Sequence, residues 1–190
     1  MRLKILQAGE PVLRERAKPL SKAEIASRNI QQLIEWMRET MHDAPGVGLA
    51  APQIGLSLQL AVIEDKAEYQ RDIRPDVLKE RGRKPVAFHA IINPEITLDD
   101  SGQVSFFEGC LSLAGFTAVV PRAPKVTVRC LDHKGEPREI RAAGWYGRIL
   151  QHEIDHLHGT LYIDRMKSRS FMPLENHNRF WKEKPLHSFE

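Results

Sequence analysis

The chain has 190 residues, of which 42% are hydrophobic and 28% are charged, and its formal net charge is +3. This length and balance predict one globular domain with a sizeable core and exclude collagen, a coiled-coil rod and a disordered chain. The net charge is too small to indicate nucleic-acid binding by itself. No apolar run reaches the roughly 18 residues of a membrane span and no signal peptide is recognisable, so we expect a cytoplasmic protein without membrane contact.

The first part of the chain predicts one amphipathic helix and then a loop. Apolar residues recur at three- and four-residue spacing as far as Met41, and Ser21 with Glu24 forms a capping box before them. An Asp-Ala-Pro-Gly run ends this helix near His42. The small residues of 46–53 predict a loop whose backbone another group could approach closely.

The middle of the chain predicts a charged excursion followed by strands. Residues 65–84 are rich in charges of both signs, which is typical of a solvated segment, and a short helix is expected after Pro75. The Asp-His-Lys-Gly run at 132–135 predicts a hairpin turn. Branched and apolar residues predict strands at 58–63, 86–92, 119–120, 125–131 and 138–141.

A second helix and a polar tail complete the chain. Apolar residues at helical spacing predict a helix over 144–158, and Gly159 stands where a C-terminal glycine belongs. From residue 165 onward there are six Lys or Arg and three Glu. We therefore expect a domain over 1–166 and a tail over 167–190, which serves either solubility or the docking of an anionic partner.

The His-Glu-Ile-Asp-His run at 152–156 is the sharpest chemical signal. On a helix, His152 and His156 lie one turn apart on one face, so two imidazole nitrogens can bind one metal ion beside Glu153. The alternative is a helix with two ordinary histidines, but the surrounding apolar stripe predicts burial, where unpaired imidazoles are costly. A catalytic site of this kind needs a third protein ligand.

Several positions compete for the role of third ligand. Tyr162 stands where a metzincin would need histidine, so that pattern fails. Glu175 would suit a thermolysin-like peptidase, but it lies in the tail with no predicted helix to hold it. Cys110 follows a glycine in a loop-like context and could supply a thiolate. Cys130 lies in a strand pattern and is typical of a small buried hydrophobe, and two cysteines are too few for a disulfide scaffold.

Three motifs together resemble those of the peptide deformylase family: GVGLAAPQ at 46–53, EGCLS at 108–112 and QHEIDH at 151–156. The similarity extends from the first helix to about residue 166, with the motifs in the family's order. It implies an α+β fold, with antiparallel and mixed β-sheets packed around a central metal-binding helix. It also implies a metallohydrolase that removes the N-formyl group from the formyl-methionine of newly synthesised polypeptides and releases formate.

The resemblance implies one divalent metal ion bound by Cys110, His152 and His156, with water as the fourth ligand. The family's physiological ion is usually Fe²⁺, and Zn²⁺, Ni²⁺ or Co²⁺ can substitute. Thiolate and imidazole suit Fe²⁺ and Zn²⁺ alike, so the sequence does not choose between them. Glu153 is expected to activate the metal-bound water as general base and to return the proton as general acid.

The remaining roles also come from the resemblance. The Gln53 amide and the Leu111 backbone N–H are expected to meet charge on the formyl oxygen, although Gln53 taken alone is typical of a surface turn. Asp155 is expected either to orient a ligand or an arginine such as Arg122, or to be exposed. The residues expected to bind substrate are Val47, Gly48, Gly109, Trp145 and Ile149. For Val47, Trp145 and Ile149, packing in the core is an equally good explanation.

Three further expectations stay open at this point. Thr117 stands where many family members carry an arginine near the substrate, which puts substrate affinity and peptide-length preference in doubt. The expected partners are formyl-methionyl nascent peptides and, through the basic tail, the ribosome; an organellar location applies if a transit peptide has been removed. The competing functions are a metallopeptidase using the same helix and a noncatalytic protein, either a structural zinc module or a deformylase-like binder, which a site closed by four protein ligands would support.

Overall fold

The computed structural model describes residues 1–182 and 184 and contains antiparallel sheets together with helices. This is an α+β arrangement, so the predicted fold class is confirmed. No helix in the described part of the chain is both long and apolar enough to cross a membrane. The strands are β1 (Gly48–Ala50), β2 (Leu60–Asp65), β3 (Val86–Leu98), β4 (Val104–Glu108), β5 (Phe116–Arg122), β6 (Lys125–Leu131), β7 (Pro137–Ala143) and β8 (Met172–Pro173). The α-helices are α1 (Lys22–Ile25), α2 (Arg28–Asp43), α3 (Pro75–Glu80), α4 (Gly144–Leu157) and α5 (Leu174–Asn176).

The larger sheet lies between α2 and α4. Its strand order is β1-β2-β3-β6-β7, and neighbouring strands are antiparallel. Along β2, Ala61 and Ile63 belong to the core cluster of α4, whereas Leu60 and Val62 belong to the cluster of α2. Successive strand residues point to opposite faces, so a strand covered on both sides is apolar throughout.

Helix α4 is the centre of the larger core. Its residues Ile149, Leu150 and Ile154 are at most 4% exposed and pack against the sheet. The helix ends at Leu157, and Gly159 follows with φ 72°, a left-handed conformation that glycine adopts without strain. The predicted helix and its terminal glycine therefore agree with the structure.

The smaller sheet has the order β4-β5-β8. Strand β4 pairs with β5 from Val104 opposite Arg122 to Glu108 opposite Ala118. Strand β8 adds two residues of the predicted tail to the other edge of β5. The strand prediction at 119–120 found only the centre of β5 and missed β4.

Two local predictions need correction. The capping box of Ser21 belongs to the four-residue α1. Helix α2 begins later and has Ser27 as its N-cap, whose hydroxyl accepts a hydrogen bond from the Ile30 N–H. The predicted loop at 46–53 contains β1 and a 3₁₀ turn, because its backbone pairs with β2.

The charged excursion is anchored at both ends. Asp65 is fully buried at the end of β2 and accepts two hydrogen bonds, of 2.8 and 2.9 Å, from the Arg83 guanidinium. Helix α3 begins at Pro75, as predicted. The segment is therefore largely exposed, apart from residues such as buried Gln70, and a buried ion pair fixes it to the sheet.

Candidate metal site and adjoining pocket

The turn after β4 and helix α4 bring three ligand groups together. Ligand atoms of Cys110, His152 and His156 all lie within 4.8 Å of one another, and Cys110 Sγ is 3.3 Å from His156 Nε2. Among residues 1–182 and 184, no fourth Cys, His, Asp or Glu joins this group. Glu175 is exposed on the C-terminal segment, so the structure does not bring the thermolysin-like ligand to the site.

The donor set fits one metal ion. A thiolate and two imidazoles are ligands for Zn²⁺, Fe²⁺ and related ions, and three protein ligands leave one position open for exchange. Burial, together with nearby His152 and Arg122, lowers the pKa of His156 well below its usual range, which keeps this imidazole in the neutral form that binds metals. Oε2 of Glu153 is buried beside the group without a hydrogen-bond partner among the described residues.

Glu108 holds His152 from behind. Its Oε2 lies 3.1 Å from His152 Nδ1, so the ring donates there and turns Nε2 towards the cluster. Arg122 donates to both carboxylate oxygens at 3.0 Å, and Arg148 donates to Oε1 at 2.6 Å. Burial opposes ionisation of Glu108, but the hydrogen bonds from His152 and Arg122 outweigh it and lower the pKa of this carboxyl well below its usual range.

The same network continues to Arg165. Arg122 also donates to Asp155, and Arg165 donates to Asp155 through two bonds of 2.7 Å. The expected Asp155–Arg122 contact is therefore present. The sequence predicted no role for Glu108 beyond its place in the EGCLS motif, and it did not indicate Arg148. The available signal was a charged residue one turn before His152 on the buried face of α4.

Glu153 lies against the backbone of β1. It is 4% exposed, and burial raises its pKa to about 7. A Cβ atom on Gly48 would lie 2.1 Å from Glu153 Oε1. Only glycine leaves room for the carboxylate here. Gly48, which the sequence suggested for substrate binding, therefore also provides the space for the Glu153 side chain.

Gln53 is part of the site and not a surface turn residue, since it is 1% exposed. Its Oε1 accepts from the Ala50 N–H at 2.9 Å, and its Nε2 lies 3.2 Å from Ser112 Oγ and 3.6 Å from Cys110 Sγ. Leu111 directly follows Cys110, so its backbone lies next to the cluster. The amide of Gln53 is thus held with its donor end towards the ligand group.

A pocket of about 740 Å³ opens from this cluster. All the site residues expected from the sequence line it, except His156, which is 1% exposed. Trp145 forms part of the wall, and the guanidinium groups of Arg81 and Arg83 each lie 5.2 Å from its ring centroid. Arg83 also lines the pocket, so the charged excursion contributes to the site, which its composition did not indicate.

Comparison of the sequence with known proteins gives one family. The sequence model of the family described as polypeptide deformylase matches residues 2–171. Peptide deformylase 1A, chloroplastic, from Solanum lycopersicum is 48% identical over 172 residues, which cover 90% of this chain and 62% of the tomato protein. The human mitochondrial peptide deformylase is 40% identical over 167 residues, covering 88% of this chain and 69% of the human one. The chain thus spans less than two thirds of the tomato protein's length.

Solved structures show the same architecture. A class I type b peptide deformylase from Acinetobacter baumannii, bound to Met-Ala-Ser, matches with a TM-score of 0.77 and 33% identity, covering 87% of this chain and 99% of that one. A peptide deformylase from Thermotoga maritima matches with a TM-score of 0.72 and 37% identity, covering 87% and 98%.

Proposed function

This chain belongs to the polypeptide deformylase family, and from that premise we propose that it removes the N-formyl group from the formyl-methionine of newly synthesised polypeptides. Water adds to the formyl carbon, the carbon–nitrogen bond breaks, and formate and a free amine leave. The observation that carries the proposal is the convergence of Cys110, His152 and His156 beside buried Glu153 at the end of one pocket. The Met-Ala-Ser bound to the Acinetobacter baumannii relative supports a peptide substrate that begins with methionine.

One divalent ion held by Cys110, His152 and His156 completes the proposed site. We propose Fe²⁺ as the physiological ion, with Zn²⁺, Ni²⁺ or Co²⁺ able to replace it. When bound, the ion supplies positive charge that makes a water molecule more acidic and polarises the formyl carbonyl. Glu108 contributes by fixing the His152 ring through its Nδ1, which orients this proposed ligand.

Glu153 moves the proton in the proposed reaction. Its Oε2 accepts a proton from the attacking water and then returns it to the nitrogen of the leaving amine. Burial favours both steps, because a pKa near neutrality lets the same carboxyl act as base and as acid. The close approach of Gly48 to Glu153 limits the movement of the carboxylate, which keeps it in place to accept the proton of the attacking water.

Gln53 and Leu111 stabilise the charge that develops on the formyl oxygen. Gln53 Nε2 is held near Cys110, and the Leu111 backbone N–H follows in the chain, so both donors lie at the metal end of the pocket. Removal of one such donor costs about 10²- to 10³-fold in kcat in enzymes that stabilise an oxyanion. This assigns to both residues an electrostatic role without a covalent one.

The methionine of the substrate is proposed to occupy the pocket beside this centre. The backbones of Val47 and Gly109 lie at its sides, where they could pair with an extended peptide. Trp145 and Ile149 supply apolar surface for the methionine side chain, whose flexible thioether fills irregular space. Gly48 completes this set through its backbone.

Formate release from formyl-Met-Ala-Ser tests the proposed function. We expect turnover with the iron-loaded protein under anaerobic conditions, loss after chelation, and recovery when Fe²⁺ or Ni²⁺ is returned. An internal peptide cleavage without formate would show a metallopeptidase instead. Failure to bind metal stoichiometrically, measured by elemental analysis, would remove the basis of the mechanism.

The basic C-terminal segment supports a separate proposal of transient ribosome contact. Lys182 and Lys184 are exposed near the end of the described chain, and Lys184 Nζ lies 4.5 Å from the Trp181 ring centroid. Contact with RNA phosphates should weaken steeply with salt. Co-sedimentation with ribosomes that is insensitive to salt and to K182E/K184E would reject this partner. For location we propose the cytoplasm, or an organelle such as those in the names of the tomato and human relatives.

A further inference from the structure

The C-terminal segment is built into the smaller sheet beside the pocket. Phe116 lies opposite Pro173 and Thr117 opposite Met172 in the β5–β8 pairing. The Leu174 N–H then donates to the Gly115 carbonyl at 2.8 Å. These bonds hold residues 172–174 along the edge of β5.

This pairing places an apolar side chain from the end of the chain at the pocket. Leu174 lines the same pocket as Cys110 and Glu153, next to Phe116. Leu174 is 46% exposed and Phe116 is 41% exposed. The Phe116 ring stacks on Phe171 with centroids 5.1 Å apart and planes 8° apart. Single exposed apolar residues are ordinary, but a cluster that continues a binding pocket indicates a binding surface.

We infer that Leu174 and Phe116 form an apolar subsite for the part of the peptide that follows formyl-methionine. The inference rests on the proposed function, which places the formyl group at the metal end of the pocket. The position of Gly109 connects the two parts, because a Cβ atom there would lie 3.5 Å from the Phe116 carbonyl oxygen. A peptide that pairs with Gly109 therefore runs beside Phe116 as it leaves the pocket.

The chemistry of Leu174 and Phe116 determines which peptide side chains the subsite favours. Leu174 and Phe116 bring no charge and no side-chain hydrogen-bonding group, so they favour an apolar side chain over glycine or a charged one. Leu174 lies beyond residues 2–171, which the family model matches. One side of the inferred subsite thus comes from the C-terminal segment, outside the region that the family model matches.

The test compares two peptide series, formyl-Met-X-Ser and formyl-Met-Ala-X, with X as Leu or Gly. In the unaltered protein kcat/KM for the Leu peptide should exceed that for the Gly peptide by about tenfold in at least one series, in line with the discrimination that apolar pockets achieve. Leu174→Ala should bring this ratio towards one. Leu174→Met, which keeps the apolar volume, should preserve it.

Phe180→Ala is the matched control. Phe180 is 49% exposed on the same C-terminal segment but does not line the pocket, so its removal should leave the Leu-to-Gly ratio unchanged. A ratio near one in both series of the unaltered protein, or a ratio that Leu174→Ala does not alter, would overturn the subsite.

Direct binding separates this inference from the proposed function. Calorimetry with the unformylated peptides Met-Leu-Ser, Met-Gly-Ser, Met-Ala-Leu and Met-Ala-Gly measures the same preference without turnover. Absence of formate together with a Leu preference that Leu174→Ala abolishes would reject the activity and retain the subsite. Formate release without a Leu preference in either series would retain the activity and reject the subsite.

Discussion

The inner end of the pocket and its outer rim are built by different means. At the inner end, Gln53, Glu108 and Glu153 are 1%, 5% and 4% exposed and are held by hydrogen bonds or by close contact with the backbone. At the rim, Phe116 and Leu174 are 41% and 46% exposed and offer only apolar surface. A reacting group needs a fixed environment, whereas a varied peptide needs an adaptable one.

The two regions should therefore respond differently to substitution. Changes at the inner end should alter the rate or the affinity for metal with every substrate. Changes at Leu174 should alter the order of preference among substrates, as tested above. A rim substitution that lowered the rate equally for all peptides would show that the regions are not separate.

Glu153→Gln should have the largest effect. Glutamine has nearly the same shape but cannot accept the proton, so kcat for formyl-Met-Ala-Ser should fall about 10³-fold. Formate release measures the rate, and elemental analysis should find the same metal content as in the unaltered protein, since Glu153 is not one of the three proposed ligands. Retention of more than a tenth of the rate would reject the acid–base role.

Gly48→Ala should have the next largest effect. The added Cβ would come within 2.1 Å of Oε1, 2.5 Å of Cδ and 2.8 Å of Cγ of Glu153, so the carboxylate must move. We expect kcat to fall about 10²-fold, the cost of a small misplacement of a reacting group, with metal content unchanged.

Gly46→Ala is a useful comparison for that variant. The closest atom to its Cβ would be the end of the Leu111 side chain, at 2.8 Å, with the Gly48 carbonyl oxygen at an ordinary 3.5 Å, and a flexible side chain can shift. The loss of kcat should therefore be at least tenfold smaller than for Gly48→Ala. Equal losses in the two variants would indicate general damage to β1 and not displacement of Glu153.

The three proposed metal ligands could be identified from the sequence because two of them have a characteristic spacing in the chain. His152 and His156 are one helical turn apart, and the motif around Cys110 completes the set by its resemblance to a family. Helix α4 and strand β6 were also predictable, since periodic apolar residues mark their buried faces. In these cases the residues of one short stretch are enough to predict the local structure.

The rest depends on partners distant in the chain. Strand β1 is too short and too rich in small residues to show a strand pattern, and it forms because β2 lies beside it. Arg83 is one charge among many in its segment, yet it is nearly buried against Asp65 and Trp145. Leu174 lies in a polar stretch, and only the pairing of β8 brings it to the pocket.

Glu108→Gln tests the support behind the inner end. The variant leaves Arg148 buried without a carboxylate partner, leaves Arg122 with Asp155 alone, and weakens the bond to His152 Nδ1. We expect a loss of about 3 kcal/mol or more in the free energy of unfolding and about 10- to 100-fold weaker metal binding. Denaturant unfolding of the apoprotein and metal titration measure the two effects separately.

Glu139→Gln is the control for this substitution. Glu139 pairs with Arg129 and Arg141 on the surface of β7, and both arginine side chains are largely exposed. Such pairs contribute about 0–1 kcal/mol, so stability should change little and metal affinity should stay the same. Equal effects of the two variants would show that the Glu108 network has no special role.

Thr117→Val should have the smallest effect, because Thr117 lies between the two regions. It is 4% exposed, and its Oγ1 donates to the Glu108 carbonyl at 2.8 Å. Valine keeps the shape and removes this bond, so the free energy of unfolding should fall by about 1 kcal/mol. The melting temperature should then drop by about 2–4 °C.

Because the hydroxyl of Thr117 is already used within the sheet, kcat/KM should fall less than about twofold for short and long formyl peptides alike. A loss above tenfold that grows with peptide length would instead place Thr117 in contact with the substrate, the role that an arginine at this position is expected to have in the family. The inner end and the rim would then share a residue.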